Sequence, residues 1–203
     1  MKSILEQKNI NTLCHFTRAE NLQSIFEYGI MSRTTLAAEG IQYYYNDMGR
    51  YDRCYNAVCT SIEFPNYKMF YSLRMSSADV DWVVLKLDSR VLCDFECAYC
   101  WTNAADRSIA YRPIEERMGM SAFLELFEDR KGYPMRSELG IPESYPTNPQ
   151  AEVLIFNTIP PSYIIAACFE NRTDTNNYWN DIAPDMIRID ERLFRPRRDW
   201  NEW

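Results

Sequence analysis

Glu152 stands at the start of an apolar run over residues 151–156, Ala-Glu-Val-Leu-Ile-Phe, that is typical of a buried strand. Alternation along a strand places it on the same face as Leu154 and Phe156. Burying a carboxylate there costs free energy unless it is paired with a hydrogen-bond donor or a cation, or has a catalytic role. Apolar neighbours raise its pKa. A raised pKa suits a general base near neutral pH. The alternative is a solvated glutamate at a strand start.

His15 and Thr17 bring an imidazole and a hydroxyl to the junction of a predicted strand and a predicted helix. Residues 12–16 have the pattern of a short buried strand. Thr17 with Glu20 three residues later is the signature of a capping box, and Gly29 fits the end of the helix that follows. His15, the one histidine of the chain, is either a packed side chain or a ligand contact.

Arg50, Asp52 and Arg53 close an irregular, tyrosine-rich stretch over residues 32–57. A guanidinium there could bind a diphosphate through two parallel hydrogen bonds. The alternative is a surface ion pair that contributes little. Residues 61–71 then predict a strand, a turn and a helix start. Their aromatic side chains, either core or the wall of a pocket, are Tyr67, Phe70 and Tyr71.

Cys93, Cys97 and Cys100 have the spacing of iron–sulfur ligands in radical enzymes. The chain that follows is too short for the barrel of such enzymes and lacks repeated βα units. Buried or incidental thiols are the alternative. The seven cysteines, an odd number, do not suggest a disulfide framework and suit a reducing compartment.

The net charge of −7 comes from residues 91–203, because acidic and basic side chains balance in residues 1–90. This acidity argues against tight nonspecific binding of nucleic acid but is compatible with a local basic groove. The tail 195–200, with Trp200, could contact phosphates and stack a base, or be a solvated end. Candidate groove residues are Arg50, Arg53, Lys68, Arg74, Arg192, Arg195, Arg197 and Arg198.

The remaining pattern indicates an α+β fold with a small mixed or antiparallel sheet, in one domain over residues 1–203. No apolar run is long enough to span a membrane and the first residues lack a secretion signal, so we expect a cytoplasmic protein. Further strands are predicted at 57–62, 82–87, 151–156 and 164–169, helices at 67–74 and 121–130, and a loop at 132–149.

Taken in order, these motifs resemble those of the DarT-type ADP-ribosyltransferases, which attach ADP-ribose from NAD to bases of single-stranded nucleic acid. No single motif is specific, but the set covers nearly the whole chain. The resemblance rests on His15-x-Thr17 with Asn21-Leu22 and Gly29, on Arg50-x-Asp52, on residues 61–71 and 150–154, and on Arg197-Arg198-Asp199-Trp200.

The resemblance implies an ADP-ribosyltransferase-like split, bent mixed β-sheet with surrounding helices around an NAD cleft. Glu152 matches the catalytic glutamate of the family and Arg50 its catalytic-site arginine, with Arg53 as the other possibility. Residues 101–149 would carry the substrate-recognition loop. The residues that the resemblance assigns to NAD, the co-substrate, are His15, Phe16, Thr17, Asn21, Leu22, Gly29 and Tyr71.

The implied function is mono-ADP-ribosylation of a base in single-stranded nucleic acid, with DNA favoured over RNA, and no metal is implied. Such enzymes are commonly toxins or phage-defence effectors, which implies an antitoxin or hydrolase partner. The same fold could instead modify RNA or protein. A protein of a different class would be an NAD-independent binding module with a decayed site, and the iron–sulfur enzyme is the remote alternative.

Overall fold

Seven strands form one sheet in the order β4-β5-β2-β1-β3-β6-β7, antiparallel except for the β6–β7 pair. The computed structural model describes residues 1–45, 49–77, 79–172, 175, 178 and 183–203. The strands are β1 (Thr12–Arg18), β2 (Val58–Ile62), β3 (Trp82–Asp88), β4 (Cys97–Cys100), β5 (Glu152–Ile155), β6 (Ile164–Phe169) and β7 (Ile187–Ile189). The predicted α+β class and mixed sheet are confirmed.

Short helices surround the sheet. Gly29 ends α2 as predicted, and the helix predicted from residue 67 is α4. The helices are α1 (Lys2–Lys8), α2 (Leu22–Tyr28), α3 (Arg33–Ala38), α4 (Tyr67–Ser76), α5 (Val91–Asp94), α6 (Arg107–Ala110), α7 (Gly119–Leu124) and α8 (Arg136–Leu139).

The sheet splits between β1 and β2. These strands pair only through Leu13 with Ile62 and Cys14 with Ser61. Beyond that point β1 continues along β3 as far as Arg18, whereas β2 continues along β5. The strands therefore diverge after Cys14, and residues 15–17 face an opening in the middle of the sheet.

Both faces of the sheet are buried, which explains the continuous apolar runs in its strands. In β3, Val83, Leu85 and Leu87 pack into the largest core cluster. Trp82 and Val84 point to the other face and pack with Phe70 of α4. Because side chains alternate along a strand, a strand such as β3 packs against a core cluster on both faces of the sheet.

The capping box predicted at Thr17 and Glu20 is wrong. The β1–β3 ladder runs through Thr17 to Arg18, so Thr17 is a strand residue. A 3₁₀ turn over Ala19–Asn21 follows, and α2 begins only at Leu22. Strand pairing overrides the local helix signal at this junction.

Two other local predictions need correction. The stretch predicted as irregular, residues 32–57, contains α3, whose first turn is capped by Ser32 Oγ accepting from Thr35 N at 3.2 Å. Residues 46–48 of the tyrosine-rich stretch lie outside the described residues. The helix predicted over 121–130 is shorter: α7 ends at Leu124 and a 3₁₀ turn, Glu125–Phe127, completes it.

The three closely spaced cysteines do not converge on one point. Cys97 lies in the largest core cluster, whereas Cys100 lies in a separate cluster with Leu154, because an odd spacing in a strand reverses the face. Cys93 is exposed in α5. In the described ranges no group of three potential metal ligands occurs. These positions contradict the iron–sulfur alternative.

The arginine-rich tail is not a free basic arm. Arg197 is only 4% exposed, pairs with Asp199, and donates to the carbonyl oxygens of Pro146 and Thr147, both at 2.8 Å. Arg195 pairs with Glu191. These contacts fasten the end of the chain to the loop before β5, so the prediction of a phosphate-binding tail is wrong for Arg197.

Candidate active site

A cleft of about 440 Å³ opens where β1 and β2 separate. Its volume lies in the range of small-molecule sites. Side chains from β1, β2, α2, α4, the tyrosine-rich loop and the start of β5 meet there. Among the residues that line it are His15, Phe16, Thr17, Asn21, Gly29, Tyr43, Tyr44, Tyr45, Arg50, Tyr51, Asp52, Cys59, Met69, Asn103 and Glu152.

Glu152 is a buried carboxylate at the edge of this cleft, and it is 7% exposed. Its Oε2 accepts from the backbone N–H of Ala104 at 2.8 Å. Its Oε1 accepts from the side-chain amides of Asn66 at 3.2 Å and Asn103 at 3.4 Å. Burial raises the pKa of Glu152 to about 7, against the opposing effect of the Ala104 and Asn66 donors. Glu152 can therefore exchange a proton near neutral pH.

Arg50 is fixed by a two-point ion pair with Asp52. Nε donates to Asp52 Oδ1 at 2.9 Å and Nη2 to Oδ2 at 2.7 Å. Nη2 also donates to the Cys54 carbonyl at 2.6 Å, and Nη1 to the Ala57 carbonyl at 3.2 Å. The pair is largely withdrawn from solvent, with side-chain exposures of 11% for Arg50 and 6% for Asp52, which contradicts the alternative of a surface ion pair. Of the five guanidinium N–H groups, these contacts leave one on Nη1.

His15 bridges the split in the sheet. Its ring Nδ1 lies 2.8 Å from the Cys59 carbonyl oxygen, where the backbone ladder between β1 and β2 has ended. Since a carbonyl only accepts, Nδ1 carries the proton. Burial lowers the pKa of His15, so the ring is neutral and Nε2 is an acceptor.

Asn21 holds the tyrosine-rich loop against the cleft. Its Nδ2 donates to Thr17 Oγ1 at 2.9 Å and to the Tyr44 carbonyl at 2.8 Å, and its Oδ1 accepts from Tyr44 N at 2.8 Å. The amide is thus occupied by the protein itself. Asn21 orders the loop and also lines the cleft, and its contact with the nucleotide stays a prediction.

Gly29 lets the chain pass close to the neighbouring segment. It has φ 92° and ψ 178°, a conformation almost confined to glycine. A Cβ at this position would lie 2.4 Å from the Ile159 carbonyl oxygen. The structure places Gly29 in the wall of the cleft, as it does Phe16, which stacks on Phe70 at 4.7 Å.

Three predicted or alternative site residues do not reach the cleft. Leu22 is fully buried in the core, because the first turn of α2 faces the sheet. Tyr71 is 55% exposed on α4, whose cleft side carries Met69 and Leu73. Arg53 is exposed and contacts the Tyr111 ring, so of Arg50 and Arg53 it is Arg50 that lines the cleft.

Asn66, Asn103 and Ala104 hold Glu152, and sequence reasoning missed all three. Asn66 carries a signal that could have been used, because an asparagine after Pro65 suits the cap of the predicted helix. The other two lie in a loop and contact Glu152 across 48 or 49 positions of the chain. Only the folded chain brings them there.

The solved structures most useful for comparison share the fold at low sequence identity. DarTG of Thermosipho africanus in complex with ADP-ribose has a TM-score of 0.62 and 15% identity, covering 90% of this chain. This chain spans 50% of the length of that one. DarT of Thermus sp. 2.9 in complex with carba-NAD⁺ has a TM-score of 0.62 and 10% identity, covering 91% of this chain and 97% of that one. The same DarT with ADP-ribosylated ssDNA has a TM-score of 0.54 and 11% identity, with 92% and 97% covered.

The split sheet has the fold of solved DarT structures that were determined with carba-NAD⁺ or NAD⁺. A family model described as "ssDNA thymidine ADP-ribosyltransferase, DarT" matches residues 14–200. The chain belongs to this DarT family. A comparison with curated proteins found no match. Each helix in the described part of the chain is too short or too polar to cross a membrane.

Proposed function

We propose that this chain transfers ADP-ribose from NAD to a base of single-stranded DNA, with Glu152 as the catalytic carboxylate. Thymine is the base named by the family description. The observation that carries the proposal is the Glu152 carboxylate itself, which is buried in the cleft wall, held by donors on both oxygens, and has a pKa of about 7. Such a group can be charged during catalysis and can also take up a proton.

NAD supplies an ADP-ribosyl group whose bond to nicotinamide breaks with positive charge developing on the ribose. The Glu152 carboxylate would stabilise that charge in a site shielded from water. It would also accept the proton that the attacking base nitrogen loses. The Ala104, Asn66 and Asn103 donors fix the carboxylate in position for both roles.

Arg50 would bind the diphosphate of NAD or orient the target base. Asp52 and two backbone carbonyls fix the plane of its guanidinium and leave one N–H of Nη1 for a ligand. A preformed donor loses little entropy on binding. The neutral His15 ring offers Nε2 as an acceptor, which suits a ribose hydroxyl.

Phe16, Thr17 and Gly29 would line the NAD site, and the loop of Tyr43 and Tyr45 would cover it. Only an unpaired base exposes its pairing nitrogens, so a single strand is the acceptor that this chemistry requires. We place the enzyme in the cytoplasm, where NAD and nucleic acid are present. An antitoxin or hydrolase partner that restrains it stays a prediction.

The proposal is tested by incubating the protein with labelled NAD and, separately, single-stranded DNA, RNA or a protein extract. Mass spectrometry of the digested nucleosides then identifies the modified base. We expect ADP-ribosylated thymidine from DNA, and no product with Glu152→Gln. Label on RNA or protein alone would contradict the proposed acceptor, and full transfer by Glu152→Gln would contradict the assigned carboxylate.

A further inference from the structure

Residues 50–55 have an inner and an outer row of side chains. Arg50 and Asp52 point inward and form the buried ion pair of the cleft wall. Tyr51, 74% exposed, and Arg53 point to solvent. A turn closed by Arg53 N donating to the Arg50 carbonyl at 2.9 Å sets this arrangement, with Arg53 at a φ of 60°. The turn that fixes Arg50 therefore also fixes an aromatic and a cationic side chain on the outside.

Arg53 joins this turn to the other segment around Glu152. Its guanidinium carbon lies 4.6 Å from the centre of the Tyr111 ring, and its Nη2 donates to the Tyr111 hydroxyl at 3.4 Å. Tyr111 follows α6, in the segment that begins with Asn103 and Ala104, the donors to Glu152. The Arg53–Tyr111 pair is thus an external bridge between the two segments that carry Arg50 and the Glu152 donors.

This bridge carries positive charge that is not neutralised by an acid. Within the described ranges Arg53 forms no ion pair, and neither does the exposed Arg107 of α6. By contrast, Arg50 and Arg112 are both paired with carboxylates. Tyr111 is 67% exposed and lies beside the cation. In a chain of net charge −7, an exposed arginine without an acid that contacts one exposed tyrosine and lies two residues after another has the chemistry to attract an anion that carries flat rings.

We propose that Arg53 and Tyr111, with Tyr51 at the cleft rim, form the docking platform for the single strand beside the reacting base. Arg53 contacts a backbone phosphate through its guanidinium, and the Tyr111 ring stacks on a base that flanks the target. The phosphates supply the anion and the unpaired bases supply the rings. The inference rests on the proposed function, since it assigns the acceptor strand to the outer rim of that same cleft.

The test measures the affinity of a fluorescent single-stranded DNA oligonucleotide as a function of salt, in a Glu152→Gln background that does not consume the strand. Arg53→Gln should weaken binding about ten-fold, as expected for a lost hydrogen bond to a charged group. It should also reduce the slope of log affinity against log salt by about 0.7, the value for one phosphate contact on a single strand. Tyr111→Ala should weaken binding at least about five-fold without changing the slope.

Matched variants separate this platform from general effects of charge or folding. Arg90 also lies over a tyrosine ring, that of Tyr163, but outside the cleft, so Arg90→Gln should keep the affinity. Tyr111→Phe keeps the ring face and should bind as the parent does. Neither Arg53 nor Tyr111 lines the cleft, so NAD affinity should stay unchanged. Loss of their exposed contact should cost no more than about 1 kcal/mol of stability, so Arg53→Gln and Tyr111→Ala should both remain folded under the conditions of the assay.

Equal affinities for Arg53→Gln and Arg90→Gln, or no loss with Tyr111→Ala, would overturn the platform. A Tyr111→Phe variant as weak as Tyr111→Ala would overturn the stacking role. These failures are distinct from failure of the proposed function. In that second case the chain with its native Glu152 would transfer no ADP-ribose to single-stranded DNA, whatever the rim variants do.

Discussion

Asn66 links the first turn of α4 to Glu152. Its Oδ1 accepts from Met69 N at 3.3 Å as the helix cap, and its Nδ2 donates to Glu152 Oε1 at 3.2 Å. Asn66 is completely buried, so neither contact is replaced by water. One amide therefore determines both where the helix begins and how the carboxylate in the cleft is held.

Replacing Asn66 by Asp should move the pH profile of the enzyme. Aspartate can still cap α4, but it removes the donor to Glu152 and adds a second carboxyl, which raises the Glu152 pKa further. The parent chain should lose kcat/KM as the pH falls through about 7, where Glu152 takes up a proton. In Asn66→Asp this limb should lie at higher pH. If the limb moves by about one pH unit, the activity on the acidic side of neutral pH falls about ten-fold.

The pH profile is measured with saturating oligonucleotide and varied NAD, for the parent, Asn66→Asp and Asn66→Ala. The alanine variant loses the cap as well, which should cost about 1 kcal/mol of stability in urea unfolding. An Asn66→Asp profile that superimposes on the parent profile would show that this amide does not control the titration of Glu152.

The sequence predicted the strands with long apolar runs, because burial on both faces leaves a strong local pattern. It missed β4, whose residues Cys97–Cys100 were interpreted through their cysteine spacing, and the three-residue β7. It also misplaced the cap at Thr17, where pairing with β3 extends the strand. Prediction from local propensity failed at Thr17 because hydrogen bonds to a strand distant in sequence replaced those of the predicted helix cap.

For the site, the sequence indicated Glu152, Arg50, His15 and Gly29, and all four line the cleft. These residues stand in ordered motifs at strand ends or turns, so a linear pattern can reveal them. The hydrogen bonds that hold Glu152 in position come from distant parts of the chain. The bond from Ala104 N to Glu152 joins a loop to a strand across 48 positions, and nothing local to either residue predicts it.

Glu152 should also make the stability of the fold depend on pH. Its pKa in the folded chain, about 7, lies above the ordinary value of 4.5, because burial disfavours the charged form. Its stabilising contribution is therefore fully present below pH 4.5 and is lost as the pH rises through about 7. Glu152→Gln, which resembles the protonated form, should become more stable than the parent at high pH, by up to about 3 kcal/mol.

Urea unfolding of both proteins across this pH range gives the difference directly. Other titrating groups are common to the two chains, so they cancel when the stabilities are subtracted. A stability difference that stays constant from about pH 5 to about pH 8 would show that Glu152 is ionised in the same way in the folded and unfolded chains.

Gly29→Ala should destabilise the chain far more than Gly40→Ala. Both glycines have positive φ, but a Cβ at Gly40 meets open space whereas one at Gly29 would meet the Ile159 carbonyl. That carbonyl accepts from Ile30 N at 2.9 Å, so it cannot move without a cost. We expect a loss of about 1 kcal/mol for Gly40→Ala and about 3 kcal/mol or more for Gly29→Ala.

Denaturant unfolding of the two variants measures these losses, and binding of an NAD analogue shows whether the cleft is retained. Gly29→Ala should bind the analogue more weakly even at temperatures where it is folded, since Gly29 forms part of the wall. Similar stabilities for the two variants would mean that the approach of residues 29 and 159 is not close in solution.

Asp52→Asn should impair catalysis through Arg50, which it holds at two points. Asparagine has nearly the same shape, but it accepts through one oxygen and carries no charge, so the guanidinium loses its fixed plane. A shift of such a group by about 1 Å can lower the rate about 10²-fold. Arg50→Lys should lose as much, because one ammonium cannot replace four directed donors. If kcat/KM of Asp52→Asn equalled that of the parent while Arg50→Lys was impaired, the guanidinium of Arg50 would matter and its orientation by Asp52 would not.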